Sequence, residues 1–356
     1  MIKLSDVNTV YVQNCNYSEK EISRISSIFQ RLTDSGSNYE VKYVKNHWLI
    51  PDLAKANSLD WIANKRHVLV IGRMSNMSMT DSGRSTDFIP PSHANGCFSS
   101  CLYCYTARRK GASNPVTVFV NTDDVIDSII SHSNSLGPKL EPNQCDSKYW
   151  TYDIGNNNDV SLDLMLSDIP LEIMEAVKHS ENAKVSFATK TVNITPLLAF
   201  DPGDRVRVRY SLMPQNIAQY VDVRTSQIST RINAINQLVD AGYEVHLNFS
   251  PVILYPGARQ DWIKLFQAID STLSQKAKDQ LACEVIMLTH SEHLHNINNE
   301  WNPKGESFLW NPKIQQTKYN KPDVICYKYD LKAKSVSNFK SVIQEHIPYC
   351  KIRYAF

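Results

Sequence analysis

Residues 96–105 read Gly96-Cys97-Phe98-Ser99-Ser100-Cys101-Leu102-Tyr103-Cys104-Tyr105, and this stretch decides the fold. Three cysteines stand here with the spacing C-x3-C-x2-C. Thiolates are soft ligands that select Zn, Cu(I) or iron–sulfur clusters. Three of them on a polar loop can hold three irons of a cubane and leave the fourth iron open. An open iron can chelate the amino and carboxylate groups of S-adenosylmethionine, and electron transfer to the sulfonium then releases a 5′-deoxyadenosyl radical. Chemistry of this sort belongs to the cofactor, and the protein aims it. The rival is a zinc site completed by a fourth ligand such as His93. Structural zinc takes paired ligands, C-x2-4-C with a second pair farther on, which this asymmetric spacing fits poorly.

Outward from this loop the chain alternates strands and helices. Downstream, strands are predicted at Tyr149–Gly155, Val185–Lys190, Val206–Leu212, Glu244–Ser250 and Cys283–Leu288, after a first strand at Phe88–Pro91. Helices between them fall at Asp123–Ser131, Asp168–Lys178, Ser226–Ala241 and Arg259–Leu273. Repeated strand–helix units require parallel strands and right-handed crossovers. Six such strands predict a partial (β/α)6 barrel, with the cysteine loop after its first strand. The strand Val116–Asn121 reads as an insertion before the first helix.

Upstream, Thr9–Val12, Tyr39–Val44 and His67–Ile71 read as strands, with helices over Glu19–Leu32 and Asp52–Asn64. They predict a small α/β N-terminal layer over residues 1–75, followed by the barrel over 76–300. The tail, 301–356, carries a strand (Val324–Tyr329), a helix (Asn338–His346) and a last strand (Lys351–Phe356), expected to pack on the barrel or the N-terminal layer. Met74, Met77 and Met79 lie in a polar linker and are gap-fillers rather than ligands.

Composition narrows the class. A net charge of +2 excludes a global polyanion-binding character, so any nucleic-acid surface must be a local patch. No apolar run reaches the roughly 20 residues that span a bilayer, and the N-terminus lacks a signal-peptide pattern. The expectation is a cytoplasmic protein without a membrane segment. Eight cysteines in 356 residues are no disulfide framework, so all are expected as thiols.

The cysteine loop resembles the Gly-Cys-x3-Cys-x-Tyr-Cys-Tyr loop of the spore photoproduct lyases, a family of radical S-adenosylmethionine enzymes. The likeness continues through HVLVIG (67–72), VTVFVN (116–121), FATK (187–190), RVRYSL (207–212), AGYEVHLNFS (241–250) and KIRYAF (351–356). Each match is short, and their shared order carries the resemblance over nearly the whole chain. It implies a radical S-adenosylmethionine partial barrel that repairs a methylene-bridged thymine dimer in DNA. Cys97, Cys101 and Cys104 would hold a [4Fe–4S] cluster. An electron donor such as flavodoxin or ferredoxin would feed it. By position, Lys190 would pair with the cofactor carboxylate and Ser211 would hydrogen-bond the cofactor. Tyr103 and Tyr105 would sit beside the cluster, one packing on adenosine and one relaying a hydrogen atom.

One departure stands out. The family carries a hydrogen-donating cysteine at the end of the second barrel strand, where this chain has Ile154. Cys145 lies near that strand's beginning, at the wrong barrel end. Either another residue quenches the radical, with Tyr152 or Cys326 from the tail as candidates, or the chemistry differs. Asn157 and Asn158 at the same strand end either bind cofactor amino or ribose groups or form a turn capping the next helix.

In Arg205-Val206-Arg207-Val208-Arg209-Tyr210-Ser211 the period of two puts three arginines and Ser211 on one face. That face either lines a cavity for an anionic ligand or meets solvent on an edge strand. Arg108, Arg109 and Lys110 are either a phosphate contact or a solvated charge run. Lys318, Tyr319, Lys321, Tyr327, Lys328 and Tyr329 interleave cations with aromatics, where the family places a DNA-binding hairpin. His290, His293 and His295 read as a surface helix start rather than a second metal site. Ser226 is expected to cap the helix that follows it. Three functions remain. The first is lesion repair by a radical lyase; the alternative is a radical enzyme of the same fold acting on a non-DNA substrate. The third is a non-enzymatic zinc or iron–sulfur nucleic-acid-binding module.

Overall fold

The computed structural model describes the chain except residues 1, 56 and 109–113, and the side chains of 58, 61, 107 and 108. Arg109 and Lys110 therefore lie outside the described residues.

Six parallel strands form the barrel sheet in chain order: Phe88–Ile89, Trp150–Asp153, Ala183–Thr189, Val206–Ser211, Glu244–Val252 and Ala282–Met287. Two further strands extend its edges. Thr80–Asp81 pairs antiparallel with the first, and Lys351–Ala355 pairs parallel with the last. The tail thus closes on the barrel rather than on the N-terminal layer. The apolar positions alternate as a curved, one-side-polar sheet requires. Val206, Val208 and Tyr210 are buried toward the helices, while Arg207, Arg209 and Ser211 turn inward.

The N-terminal sheet runs Glu40–Val44, Thr9–Gln13, Val68–Gly72, Val116–Phe119 and Ala94–Asn95. Val116–Phe119 is therefore no insertion. It pairs Leu69↔Val116 through Gly72↔Phe119, and its VTVF run is buried throughout, as a central strand covered on both faces must be. Ala94–Asn95 pairs beside it, so the segment leading into the cysteines is itself part of this sheet. The main apolar core runs unbroken from Val10, Val12, Leu69 and Ile71 into the barrel helices.

Local signals explain the helix ends. Ser18 and Glu21 form a reciprocal capping box at the start of Glu19–Asp34. The helix expected over Asp52–Asn64 is instead two, Pro51–Ala54 and Ser58–His67. Asn57 accepts from Leu59 and Asp60 backbone N–H groups and starts a second helix. Ser226 does not cap its helix, whose first residue is Ile228. Its Oγ accepts from Val192 N, tying two barrel loops together.

Candidate active site

The cysteine loop is fixed by its non-cysteine residues. Phe98 and Leu102, spaced four apart, are buried in the main core. Leu102 N donates to Val221 O at 3.0 Å and Ser100 N to Val223 O at 3.1 Å. Arg224 Nη1 donates to Phe98 O at 3.3 Å, and Ser99 Oγ to Arg224 O at 3.2 Å. Gly96 (φ +84°) opens the loop. A Cβ there would lie 2.7 Å from Pro115 O, so only glycine fits.

All eight cysteines are unpaired thiols. Burial pushes the Cys97 thiol up to about 12, aided by Asp159, and raises Cys101 well above the ordinary range, aided by Asp222. Cys104 is near enough to disfavour ionisation of both, and Cys97 that of Cys101. Cys97 and Cys101, held neutral by burial, need a cation to become thiolates, and coordination supplies it. The donor set therefore fits a soft metal group. Zinc fits less well. His93 turns its Nε2 to Asp163 Oδ2 (3.2 Å) and Asn158 Nδ2 (3.1 Å), away from ligand duty. Among the described residues no three His, Cys, Asp or Glu side chains are grouped to hold a metal ion.

Lys190 follows the strand Ala183–Thr189, Ser211 ends the strand Val206–Ser211, and Asn248 lies midway along Glu244–Val252. The register places Ser211 beside Asn248. Lys190 Nζ lies 5.4 Å from the centre of the Tyr103 ring and has no carboxylate within ion-pair distance among the described residues. The Asn248 Oδ1 is buried without a hydrogen-bond partner, as is Ser100 Oγ in the cysteine loop. An unpaired ammonium beside unsatisfied buried polar atoms is costly unless a ligand completes it. An amino acid's carboxylate and amino groups match that need.

The family model for spore photoproduct lyase matches residues 9–356. The chain belongs to the spore photoproduct lyase family. That family consists of radical S-adenosylmethionine lyases, so the chain is an enzyme of that kind. The spore photoproduct lyase of Bacillus subtilis (strain 168) is 21% identical over 332 residues, covering 91% of this chain and 93% of that protein. That of Clostridium acetobutylicum is 23% identical over 230 residues, 62% of each chain. A solved spore photoproduct lyase variant with bound AdoMet and dinucleoside spore photoproduct superposes with TM-score 0.84 at 17% identity, covering 98% of this chain and 99% of that one. Another, complexed with dinucleoside spore photoproduct, gives the same score and coverage.

Within this spore photoproduct lyase frame the expected site residues separate. Tyr103 lies under Lys190, with its hydroxyl donating to Asp222 Oδ1. Asp222 pairs with Arg231 at 3.1 Å, and Arg231 Nη1 also donates to Ser211 O at 2.8 Å. Tyr105 is 57% exposed, and its hydroxyl donates to Asn156 O at 3.1 Å. It therefore stands at the end of the second barrel strand, where the family's cysteine is missing.

Tyr152 is not in this group. It is fully buried on the sheet's outer face, its hydroxyl 2.9 Å from His132 Nδ1 of the helix Thr122–Leu136. One residue of pleat separates it from the inward-facing Asp153. Cys145 is buried against Arg84 O beside the strand beginnings, and Cys326 is buried in a strand of the C-terminal hairpin sheet. Asn157 Nδ2 donates to Ser92 Oγ at 3.0 Å, while its carbonyl accepts from Gly96 N. Asn158 Nδ2 donates to Asp163 Oδ2. Of these contacts only the Asn157 backbone carbonyl reaches the cysteine loop, and the helix cap is the residue after Asn158, Asp159.

The arginine face is no anion cavity. Arg207 meets Asp146 at 2.7 Å and Glu244 at 2.9 Å; Arg209 meets Asp153 at 2.7 Å and Glu284 at 3.5 Å. Arg205 leaves the row, with its guanidinium carbon 3.9 Å from the centre of the Tyr149 ring. The histidines also differ from expectation. His293 is exposed, but His290 and His295 share a carboxylate oxygen of Glu306. Sequence reasoning missed Asn248, Asp222, Arg231 and Glu306. Only Asn248 left a signal: a polar side chain at every second position of Val245–Phe249.

Proposed function

We propose that this chain uses a [4Fe–4S] cluster and S-adenosylmethionine to open a thymine-dimer lesion in DNA. The observation that carries the reading is the meeting, at one barrel end, of three crowded loop thiols with an ammonium left unpaired among the described residues. Cys97, Cys101 and Cys104 would hold the cluster. When bound, it supplies one electron to S-adenosylmethionine and hence a 5′-deoxyadenosyl radical able to take hydrogen from the lesion.

Lys190 receives the cofactor carboxylate, and Ser211 and Asn248 satisfy its remaining polar groups. Tyr103, clamped by Asp222, is the rigid face beside the cofactor. Tyr105 also borders the cofactor and returns hydrogen to the opened lesion. Its O–H bond breaks as the product C–H bond forms. One electron from a carrier of the flavodoxin or ferredoxin class, with one proton from water, then restores the phenol.

DNA is gripped by the hairpin Gln315–Lys318 and Lys321–Tyr327, whose tip carries Tyr319, 89% exposed, between Lys318 and Lys321. An exposed ring between cations suits base stacking with phosphate contact. Unpaired cysteines throughout support a reducing, cytoplasmic setting. No helix among the described residues is long and apolar enough to cross a membrane. The second reading, a non-DNA substrate in the same barrel, rests on the absence of a cysteine at Ile154.

The test is anaerobic incubation of reconstituted protein with S-adenosylmethionine, reductant and lesion-bearing DNA, following 5′-deoxyadenosine and thymine together. Both should form, and C101A should abolish both. Cofactor cleavage without lesion reversal would leave only the second reading. An intact cluster without cleavage would overturn both. In Y105F, 5′-deoxyadenosine should still form while thymine release falls.

A further inference from the structure

Outside the site lies a buried polar chain that ends on the cysteine loop. Leu102, fully buried between two of the cysteines, offers its carbonyl to Asn298 Nδ2 at 2.9 Å. The same Nδ2 donates to Glu306 Oε2 at 2.7 Å. Glu306 Oε1 then accepts from His290 Nε2 and His295 Nδ1, both at 2.8 Å. Asn299 Nδ2 donates to His295 Nε2 at 3.0 Å, which leaves Nδ1 as the hydrogen-bearing nitrogen toward Glu306. The indole of Trp310 stacks on His295, with centroids 4.0 Å apart. Asn298 and Glu306 are 0% and 1% exposed.

This is more polar equipment than a helix contact needs. Glu292–Trp301 already buries Leu294, and apolar packing would hold it at lower desolvation cost. The equipment converges on one carbonyl, between Cys101 and Cys104. Its far end is anchored too: His290 sits in a strand pairing His290↔Ile325 with the hairpin. A second fixture presses on the same residue. Gly305 packs so closely that a Cβ would lie 2.5 Å from Leu102 Cδ1.

We propose that Asn298 is a positioning residue for Cys101 and Cys104, and that Glu306, His290 and His295 form the strut that holds it. The proposal rests on the cluster reading above. Groups behind metal ligands set ligand orientation, and their loss costs about tenfold or more in metal affinity or activity. Leu102 N is fixed by Val221 and its carbonyl by Asn298, so the Cys101–Leu102 and Leu102–Tyr103 peptide units each have one orientation, and Cys104 N donates back to Cys101 O at 3.1 Å.

The experiment compares wild type, N298L, G305A and the surface control E300A after anaerobic reconstitution. Iron and sulfide content, the thermal midpoint, and the electron paramagnetic resonance spectrum of the reduced cluster with and without S-adenosylmethionine are recorded. N298L should alter the spectrum and its response to S-adenosylmethionine. Formation of 5′-deoxyadenosine should fall about tenfold, and E300A should match wild type. G305A puts a Cβ 2.5 Å from Leu102 Cδ1 and 2.7 Å from Tyr220 O, shifting the same residue, and should alter the spectrum too, which keeps the test decisive should N298L fail to fold. Iron-replete variants with wild-type spectra and rates would overturn the proposal. A wild type that binds no iron would instead overturn the cluster reading.

Discussion

Along the inner face of the barrel sheet below Ser211, arginines and lysines of the described residues meet opposite charges. Arg207 meets Asp146 and Glu244, Lys184 meets Asp146, Arg209 meets Asp153 and Glu284, and Arg353 reaches Glu284 at 2.8 Å. A few residues along, Lys190 has a ring but no carboxylate among the described residues, and Asn248 Oδ1 has no donor. Charge paired within the protein forms a floor beneath the strand ends, and Lys190 stands above it without an ion-pair partner among the described residues. The floor residues Lys184, Arg207, Arg209 and Glu284 are buried, whereas Lys190 is half-buried beside the buried Ser211 and Asn248.

The sharpest way to break this contrast is to unpair the floor. R209M removes one guanidinium and leaves Asp153 and part of Glu284 buried without it. Breaking a buried pair from one side costs about 3–5 kcal/mol, so denaturant unfolding should show a loss of that size. A loss below about 1 kcal/mol would mean that water already screens the floor.

The same contrast explains what the chain discloses before folding. The cysteine spacing is local, and a soft-metal loop can be read from ten residues. The six strands follow from alternation, because pleat and period are local as well. Partners across the barrel are not local. The RVRVRYS run shows that arginines point inward, but nothing near it announces Asp153 or Glu284, which lie on other strands. Tyr152 fails for a related reason: one residue of pleat decides between cavity and helix, and a four-residue strand gives too little pattern to fix that phase. Val116–Phe119 read as an insertion because its partner, Val68–Gly72, is more than forty residues upstream. Glu306 escaped because a carboxylate beyond an intervening helix has no fixed spacing from the histidines it serves.

The reverse substitution tests the open end. K190M removes an ammonium that forms no ion pair among the described residues and reaches Asp159 only through a longer-range attraction, so folding stability should fall by no more than about 1 kcal/mol. Affinity for S-adenosylmethionine should fall by about 2 kcal/mol, roughly thirtyfold, the scale of one lost charge-assisted hydrogen bond. Equilibrium dialysis and thermal unfolding of the same preparation separate the two. Destabilisation matching that of R209M would erase the distinction between the ends.

The smallest effect is expected from His246, which sits on the floor with Nε2 2.8 Å from Glu244 Oε1 and Nδ1 unpartnered. Burial, opposed by Glu244 and joined by Arg207 and Arg353, holds its pKa down to about 4. An unfolded histidine titrates near 6.5. Between those values the unfolded chain binds the extra proton, so stability is full above about pH 6.5 and falls as the pH drops toward 4. Between pH 7 and 5.5 the loss should be about 1 kcal/mol. H246Q should flatten that segment of the stability profile while leaving the cofactor affinity of the open end unchanged. A wild-type profile already flat there would mean that the imidazole is charged inside the fold, and that the floor is balanced by a cation more than its neutral histidine provides.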